Sequence, residues 1–332
     1  SIAAYQQALN LNSQHIDTLI NLGNAYKDQG RITEALNLFR GAIRIDPNNF
    51  AASENLLSSL HYDPSCGLKE IYEAHRDWDA KFGAPLKATW QPFTNDLSSD
   101  RPLRIGFYSN ALGDHPVGYY SLPAFESLDP TEFAKIVYSA RNATDPITAK
   151  FKAAATEWND VSTTSDEALA AKIRDDKIDI LIDLAGHLAG GRPLLLARKP
   201  APIILNWIGY TGTLGLSAVD YILADEHTIP HGAESYYSEK IVRLPHTLFC
   251  FRSPNTSIPV SSLPAKAKGY ITFGSFNNPA KLNSTVISTW SQLLRGVPNS
   301  RLVLKYRNLD DPQTQAIILD HFAESGISLD RI

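Results

Sequence analysis

Three side chains suited to acid–base or electrostatic chemistry follow short apolar runs in this 332-residue sequence. His115 lies in Gly113-Asp114-His115-Pro116, after the run 104–109. His187 lies in Ala185-Gly186-His187, after 179–184. Lys281 closes Asn277-Asn278-Pro279-Ala280-Lys281, after 270–276. An imidazole titrates near neutral pH, which suits proton transfer or a hydrogen bond to a reacting hydroxyl. A lysine supplies positive charge where a departing anion gains electrons. Gly209-Tyr210-Thr211-Gly212-Thr213 follows a run ending at Ile208, and its glycines let backbone approach a ligand closely. Each feature also has a plainer reading. The Gly113–Pro116 string fits a turn into a helix with Pro116 first. His187 fits a loop terminus, and Lys281 a solvated side chain before a helix.

The elements that would position these residues alternate. Strands are predicted at 104–109, 133–140, 158–162, 179–184, 203–208, 221–224 and 240–244. Helices are predicted at 122–128, 147–157, 165–175 and 193–198. This alternation points to a parallel, doubly wound α/β sheet, whose ligands bind outside the carboxyl ends of the strands. A second unit starts near Gly269, with strands at 270–276 and 301–306 and helices at 284–294 and 312–324. It ends at Ile332 where a further strand is expected, so this lobe reads as truncated. No Gly-x-Gly-x-x-Gly follows a strand, and neither a phosphate-binding Gly-Lys-Ser/Thr loop nor Gly-x-Ser-x-Gly is present. Those absences weigh against a dinucleotide oxidoreductase, an NTPase and an α/β-hydrolase.

The first 60 residues follow a different period. Leu19, Leu22, Gly23, Tyr26, Ala35, Phe39 and Pro47 match the 34-residue tetratricopeptide pattern, with Leu19 in place of the leading Trp. Residues 16–49 form one complete repeat. Residues 1–12 match the second helix of another, and a degenerate repeat follows. The sequence has no methionine, and the repeat array is expected to be cut inside a helical hairpin. Residues 61–100 read as a helical linker, with an amphipathic helix over 68–82. Asp77-Trp78-Asp79 there spells the metal-binding pattern of some glycosyltransferases, but residues two apart on a helix face different ways, so the match reads as chance.

Net charge is −4 and the pI about 6.1, which argues against nucleic acid as a partner. Cys66 and Cys250 offer neither a disulfide framework nor metal-ligand spacing. The longest uncharged stretch, 200–219, is broken by prolines and glycines and does not read as a membrane span. A cytoplasmic protein is expected. Asn-x-Ser/Thr matches at Asn142, Asn255 and Asn283 would matter only after secretion.

Taken together, these features resemble one family, the O-linked N-acetylglucosamine transferases of bacterial, repeat-containing type, with SPINDLY-like relatives. The strings that carry the resemblance are 103–109 with Gly113–Pro116, 200–203 with Trp207–Tyr210 and Gly212-Thr213, and 220–222. Further strings are 237–240, 244–249, Phe276-Asn277 with Lys281, and 297–300. The resemblance implies a GT-B arrangement: repeats at 1–60, linker at 61–100, a first Rossmann-like lobe at 101–268, and the start of a nucleotide-sugar lobe at 269–332. It implies inverting transfer from UDP-GlcNAc to Ser or Thr hydroxyls, without metal or cofactor, on protein acceptors presented by the repeats. His115 and Lys281 take the catalytic positions. Asn278, Lys281, Ile208 and Gly209 take donor-binding positions, while Asp114, His187, Tyr210, Gly212 and Thr213 line the pocket. Ala111 stands where relatives often carry an acidic residue, which leaves the general base open. Two alternatives remain: an O-fucosyltransferase using GDP-fucose, and a repeat scaffold with a decayed transferase domain. Residues 1–332 alone are expected not to turn over a donor.

Overall fold

Apolar side chains at helical spacing set the first elements. The computed structural model describes residues 2–253, 258–307 and 309–332; Asn255 lies outside them. Helices α1 (Ile2–Leu11), α2 (Ile16–Asp28), α3 (Ile32–Ile45) and α4 (Phe50–Leu60) pack in sequence. Leu19, Leu22, Tyr26, Ala35, Phe39 and Ala42 form their common core. Phe39 lies across Gly23, where a Cβ would come within 2.5 Å of its ring. This is the repeat hairpin expected over 16–49.

The next helix, α5 (Leu68–Trp78), does not run to residue 82 as an α-helix. It widens into a π-turn at Asp79–Gly83. The buried Asp79 carboxylate accepts from Arg76 at 3.3 Å and from the Ser217 backbone N–H at 3.2 Å. That engagement leaves the Asp-x-Asp match a structural role.

Seven strands then form one parallel sheet: β1 (Leu103–Ser109), β2 (Phe133–Ser139), β3 (Glu157–Asp160), β4 (Ile180–Asp183), β5 (Ile203–Asn206), β6 (Tyr221–Ala224) and β7 (Lys240–Arg243). Their order is β3-β2-β1-β4-β5-β6-β7. The crossovers include α6 (Pro116–Ser127), α7 (Pro146–Ala154), α8 (Asp166–Asp175) and α9 (Pro193–Ala197). Two boundaries differ from the expectation. Helix α6 starts six residues before 122, because Gly118 and Pro123 obscure its apolar period while His115 and Pro116 begin it. Helix α7 ends at Ala154 and not at 157, because Thr156 turns to the sheet and donates its N–H to Lys135. Ile105, Phe107, Phe125, Val137 and Phe151 form the apolar layer between strands and helices.

A shorter pair completes the described chain: β8 (Ile271–Ser275) and β9 (Ser300–Leu304) are parallel. They are preceded by α10 (Pro264–Lys268) and packed by α11 (Ser284–Gly296) and α12 (Pro312–Glu324) around Leu294, Leu302 and Phe322.

By contacts, the chain forms two units: Ser1–Gly67 with Ser257–Ile332, and Leu68–Thr256. The repeats therefore share a unit with β8 and β9. Gln29, in the turn between α2 and α3, donates to Asp311 at 3.2 Å. No helix among the described residues is long and apolar enough to cross a membrane.

Candidate active site

The strand order reverses between β1 and β4. Chain connections leave toward β2 and β3 on one side and toward β5, β6 and β7 on the other. Such a switch point opens a crevice at the carboxyl ends of the strands. His115 follows β1 and His187 follows β4, so the two sequence-predicted histidines belong to the loops flanking this point.

The loop after β1 is anchored at its base and exposed at its tip. Ser109 Oγ accepts from the Ala111 N–H at 2.9 Å, and Ala111 and Leu112 are buried in the apolar layer. Thr148 Oγ1 holds the Leu112 carbonyl at 2.9 Å. Asp114 and His115 are exposed. His115 is the N-cap of α6, and its Nδ1 accepts from the Val117 N–H at 3.2 Å. A backbone N–H can donate only to an unprotonated ring nitrogen, so the neutral imidazole carries its proton on Nε2. Asp114 Oδ1 accepts from the Tyr119 hydroxyl at 2.6 Å, which pushes the Tyr119 phenol up from its ordinary pKa.

The loop after β4 is buried. Asp183 accepts from the Gly186 N–H at 2.7 Å, and burial raises its carboxyl to about 6 despite the backbone donors and His187 pulling it down. His187 is 2% exposed, and its Nε2 meets the Leu214 carbonyl at 2.9 Å. Its ring packs edge-on against Trp78 and Tyr210. Asn110 donates to the Ala189 carbonyl at 2.8 Å, and Tyr108 to that of Gly190 at 3.2 Å. These bonds tie the first loop to the second.

The loop after β5 packs on the loop after β4. Ile208 has φ +62, a left-handed conformation unfavourable for a β-branched residue. Gly209 sits directly on the end of β4: a Cβ there would be 1.9 Å from the Leu184 carbonyl oxygen. Asn206 donates to the Tyr210 carbonyl at 2.8 Å. Further on, the buried Glu239 carboxylate accepts from Thr213 Oγ1 at 2.7 Å and the Leu214 N–H at 2.6 Å, and burial raises its pKa. Tyr210 and Thr213 are buried, Gly212 is partly exposed and Ile208 is 8% exposed. These segments form backbone scaffolding at the carboxyl ends of β4 and β5.

Asn278 and Lys281 belong to the other unit. Asn278 caps a single 3-10 turn, Pro279–Lys281, with Oδ1 accepting from the Ala280 N–H at 3.1 Å. Lys281 is exposed at the carboxyl end of β8. Among the described residues no group of three or more His, Cys, Asp and Glu side chains is placed to hold a metal ion.

The family model described as Glycosyl transferase family 41 matches residues 84–256, about half of the chain. The chain belongs to this family. A TPR repeat model matches residues 23–56. The chain is 34% identical over 293 residues to a protein of Oryza sativa named probable UDP-N-acetylglucosamine–peptide N-acetylglucosaminyltransferase SPINDLY, covering 87% of this chain and 32% of that one. It is 32% identical over 262 residues to the Arabidopsis thaliana protein of the same title named SEC, covering 73% and 26%. Among solved structures it superposes on a mutant O-GlcNAc transferase of Thermobaculum terrenum with a TM-score of 0.89 and 30% identity, over 99% of this chain and 62% of the other. The chain thus spans about a third of the length of the curated relatives it matches. The family 41 chain joins a tetratricopeptide hairpin to a parallel α/β lobe, as the sequence led one to expect.

His75 is not among the residues whose motifs and spacing stand out in the sequence. It sits in the stretch read as a linker, is fully buried, and bonds to Tyr210. A histidine on the inner face of an amphipathic helix, beside Ile71 and Trp78, was the available signal.

Proposed function

We propose that this protein is an inverting, metal-independent O-glycosyltransferase that moves N-acetylglucosamine from UDP-GlcNAc to Ser or Thr hydroxyls of proteins held by the repeats. The reading rests on one observation above all. In a family 41 chain, the loops carrying His115 and His187 flank the β1/β4 switch point. In this reaction the acceptor oxygen bonds to the anomeric carbon from the face opposite the diphosphate. The carbon–oxygen bond to the diphosphate breaks and its electron pair leaves with the phosphate. The sugar becomes oxocarbenium-like on the way, so the leaving group requires positive charge. Lys281 takes that task by the resemblance, with Asn278 beside the nucleotide. The Ile208-Gly209 backbone forms the floor under the sugar, and Tyr210, Gly212, Thr213 and His187 back or line it.

The tautomer of His115 favours one role over another. With Nδ1 engaged by the Val117 N–H, the neutral ring presents Nε2–H. It orients an oxygen by donating to it and does not remove the proton. Ala111, packed in the apolar layer, carries no carboxylate. This reading assigns the acceptor's proton to Asp114, the exposed carboxylate beside His115.

The test is transfer by the full-length protein from UDP-GlcNAc to acceptor peptides, followed by mass spectrometry. Transfer of N-acetylglucosamine, lost in both His115→Ala and Lys281→Ala, supports the reading. Turnover of GDP-fucose alone would replace it with the O-fucosyltransferase reading. Retained partner binding without turnover of any nucleotide sugar would replace it with the scaffold.

A further inference from the structure

We infer that His75 is a positioning residue for the strand-end segment 207–215, acting through the Tyr210 hydroxyl. The inference rests on the reading of that segment as the floor under the donor sugar.

The geometry begins with the tautomer. His75 is 0% exposed. Its Nδ1 lies 2.6 Å from the Ile71 carbonyl oxygen, one turn back on α5. A carbonyl only accepts, so Nδ1 carries the ring proton. In the neutral ring Nε2 is then an acceptor, and it lies 2.7 Å from the Tyr210 hydroxyl. The phenol has a directed, short partner in a site closed to water, where such bonds are strongest and their loss most costly.

Helix α5 holds the same segment at its far end. Gly215, at φ +68, packs directly on His75, and a Cβ there would stand 2.5 Å from the His75 carbonyl carbon. Arg76 donates to the Gly215 carbonyl at 2.7 Å. The helix therefore grips residues 210 and 215 from one face. Ile208 lies just before these grips in its left-handed conformation. Such backbone persists only where its surroundings over-determine it. Asn206 and Leu184 fix one side of the strained segment, and His75 fixes the other through Tyr210. A helix that the sequence presents as a connector thus sets the backbone on which the sugar rests.

The experiment uses the full-length protein with Tyr210→Phe, which removes one oxygen and keeps the ring, and with His75→Phe, His75→Gln and the Tyr210→Phe/His75→Phe pair. Two readouts are taken: donor KM and kcat, and amide hydrogen exchange across 207–215. In Tyr210→Phe and His75→Phe, donor KM rises about tenfold with kcat nearly unchanged, as for loss of ground-state positioning. The double variant is no worse than either single one, since both remove the same bond. His75→Gln, which keeps an acceptor at the Nε2 position, recovers most of the loss. Exchange in 207–215 quickens while β1 and β4 keep their protection. Unchanged exchange in folded Tyr210→Phe overturns the inference whether or not the protein turns over a donor, and so do additive effects on KM. Absence of turnover by the wild type, with faster exchange in the variants, overturns the functional reading alone and leaves the positioning of the segment standing.

Discussion

Two loops that look alike in sequence behave as opposites in the fold. Both follow a central strand, and both place a histidine four to six residues beyond it. The loop after β1 lifts His115 onto the exposed N-terminus of α6, where Nδ1 caps the helix. The loop after β4 folds His187 inward, under Leu214 and against Trp78 and Tyr210. The same signal thus yields one presented imidazole and one supporting imidazole. Position at a strand end selects the neighbourhood; packing selects the role.

Substitutions that treat the two histidines alike test this contrast. The largest effect is expected on the presented side. His115→Ala, which removes an orienting donor, and Lys281→Ala, which removes positive charge at the leaving group, should each lower kcat/KM of the full-length protein by about 10²–10³. Melting temperature should fall by no more than the loss of one helix cap, about 1 kcal/mol for His115, and hardly at all for the exposed Lys281. A large loss of stability in His115→Ala would erase the distinction.

On the supporting side, His187→Ala should destabilise the protein by about 3 kcal/mol, from a cavity and an unpaired Leu214 carbonyl. Denaturant unfolding reads this directly. A fully stable His187→Ala variant with no turnover would move His187 to the chemistry. Gly209→Ala sharpens the same point without touching a titratable group. Its methyl would meet the Leu184 oxygen at 1.9 Å, and overpacking of this kind costs about 1–3 kcal/mol. Donor KM should rise with it.

The smallest effect is a pH dependence. Burial, partly offset by the Gly186 and Ala185 N–H groups, holds the Asp183 carboxyl at about 6, against about 3.9 in an unfolded chain. The folded state therefore binds this proton more tightly. The contribution is complete below about pH 4 and is lost as pH rises through about 6. Asp225 runs the other way. The Leu248 N–H, with further bonds from Thr228 and His227, holds its carboxyl at about 2. Its contribution is present above about pH 4 and is lost as pH falls toward 2. Asp183→Asn should flatten the fall in stability between pH 4 and 6, by on the order of 2 kcal/mol. Equal slopes in variant and wild type, from urea unfolding at pH 4.5 and 7, would show an ordinary carboxyl at Asp183.

Much of this molecule is legible in its sequence because the signals are local. The repeat shows as a 34-residue spacing, and its hairpin follows from Gly23 facing Phe39. The parallel strands show as apolar runs separated by helices. Pro116 announces the start of α6, although Gly118 and Pro123 obscured the rest of that helix. The fold class followed from these features, and the family from strings of residues distributed along the chain.

What the sequence determined by itself is therefore the list of parts: repeat, strand order in the chain, and the polar loops that follow the strand ends. Only the tertiary structure decided which side chains those loops present and which they bury. The reason is physical. Apolar periodicity is set within a few residues, whereas the bond from Tyr210 to His75 joins positions 135 residues apart, and the Leu214 carbonyl that holds His187 is 27 residues away. Contacts of that kind arise from packing, and no local pattern announces them.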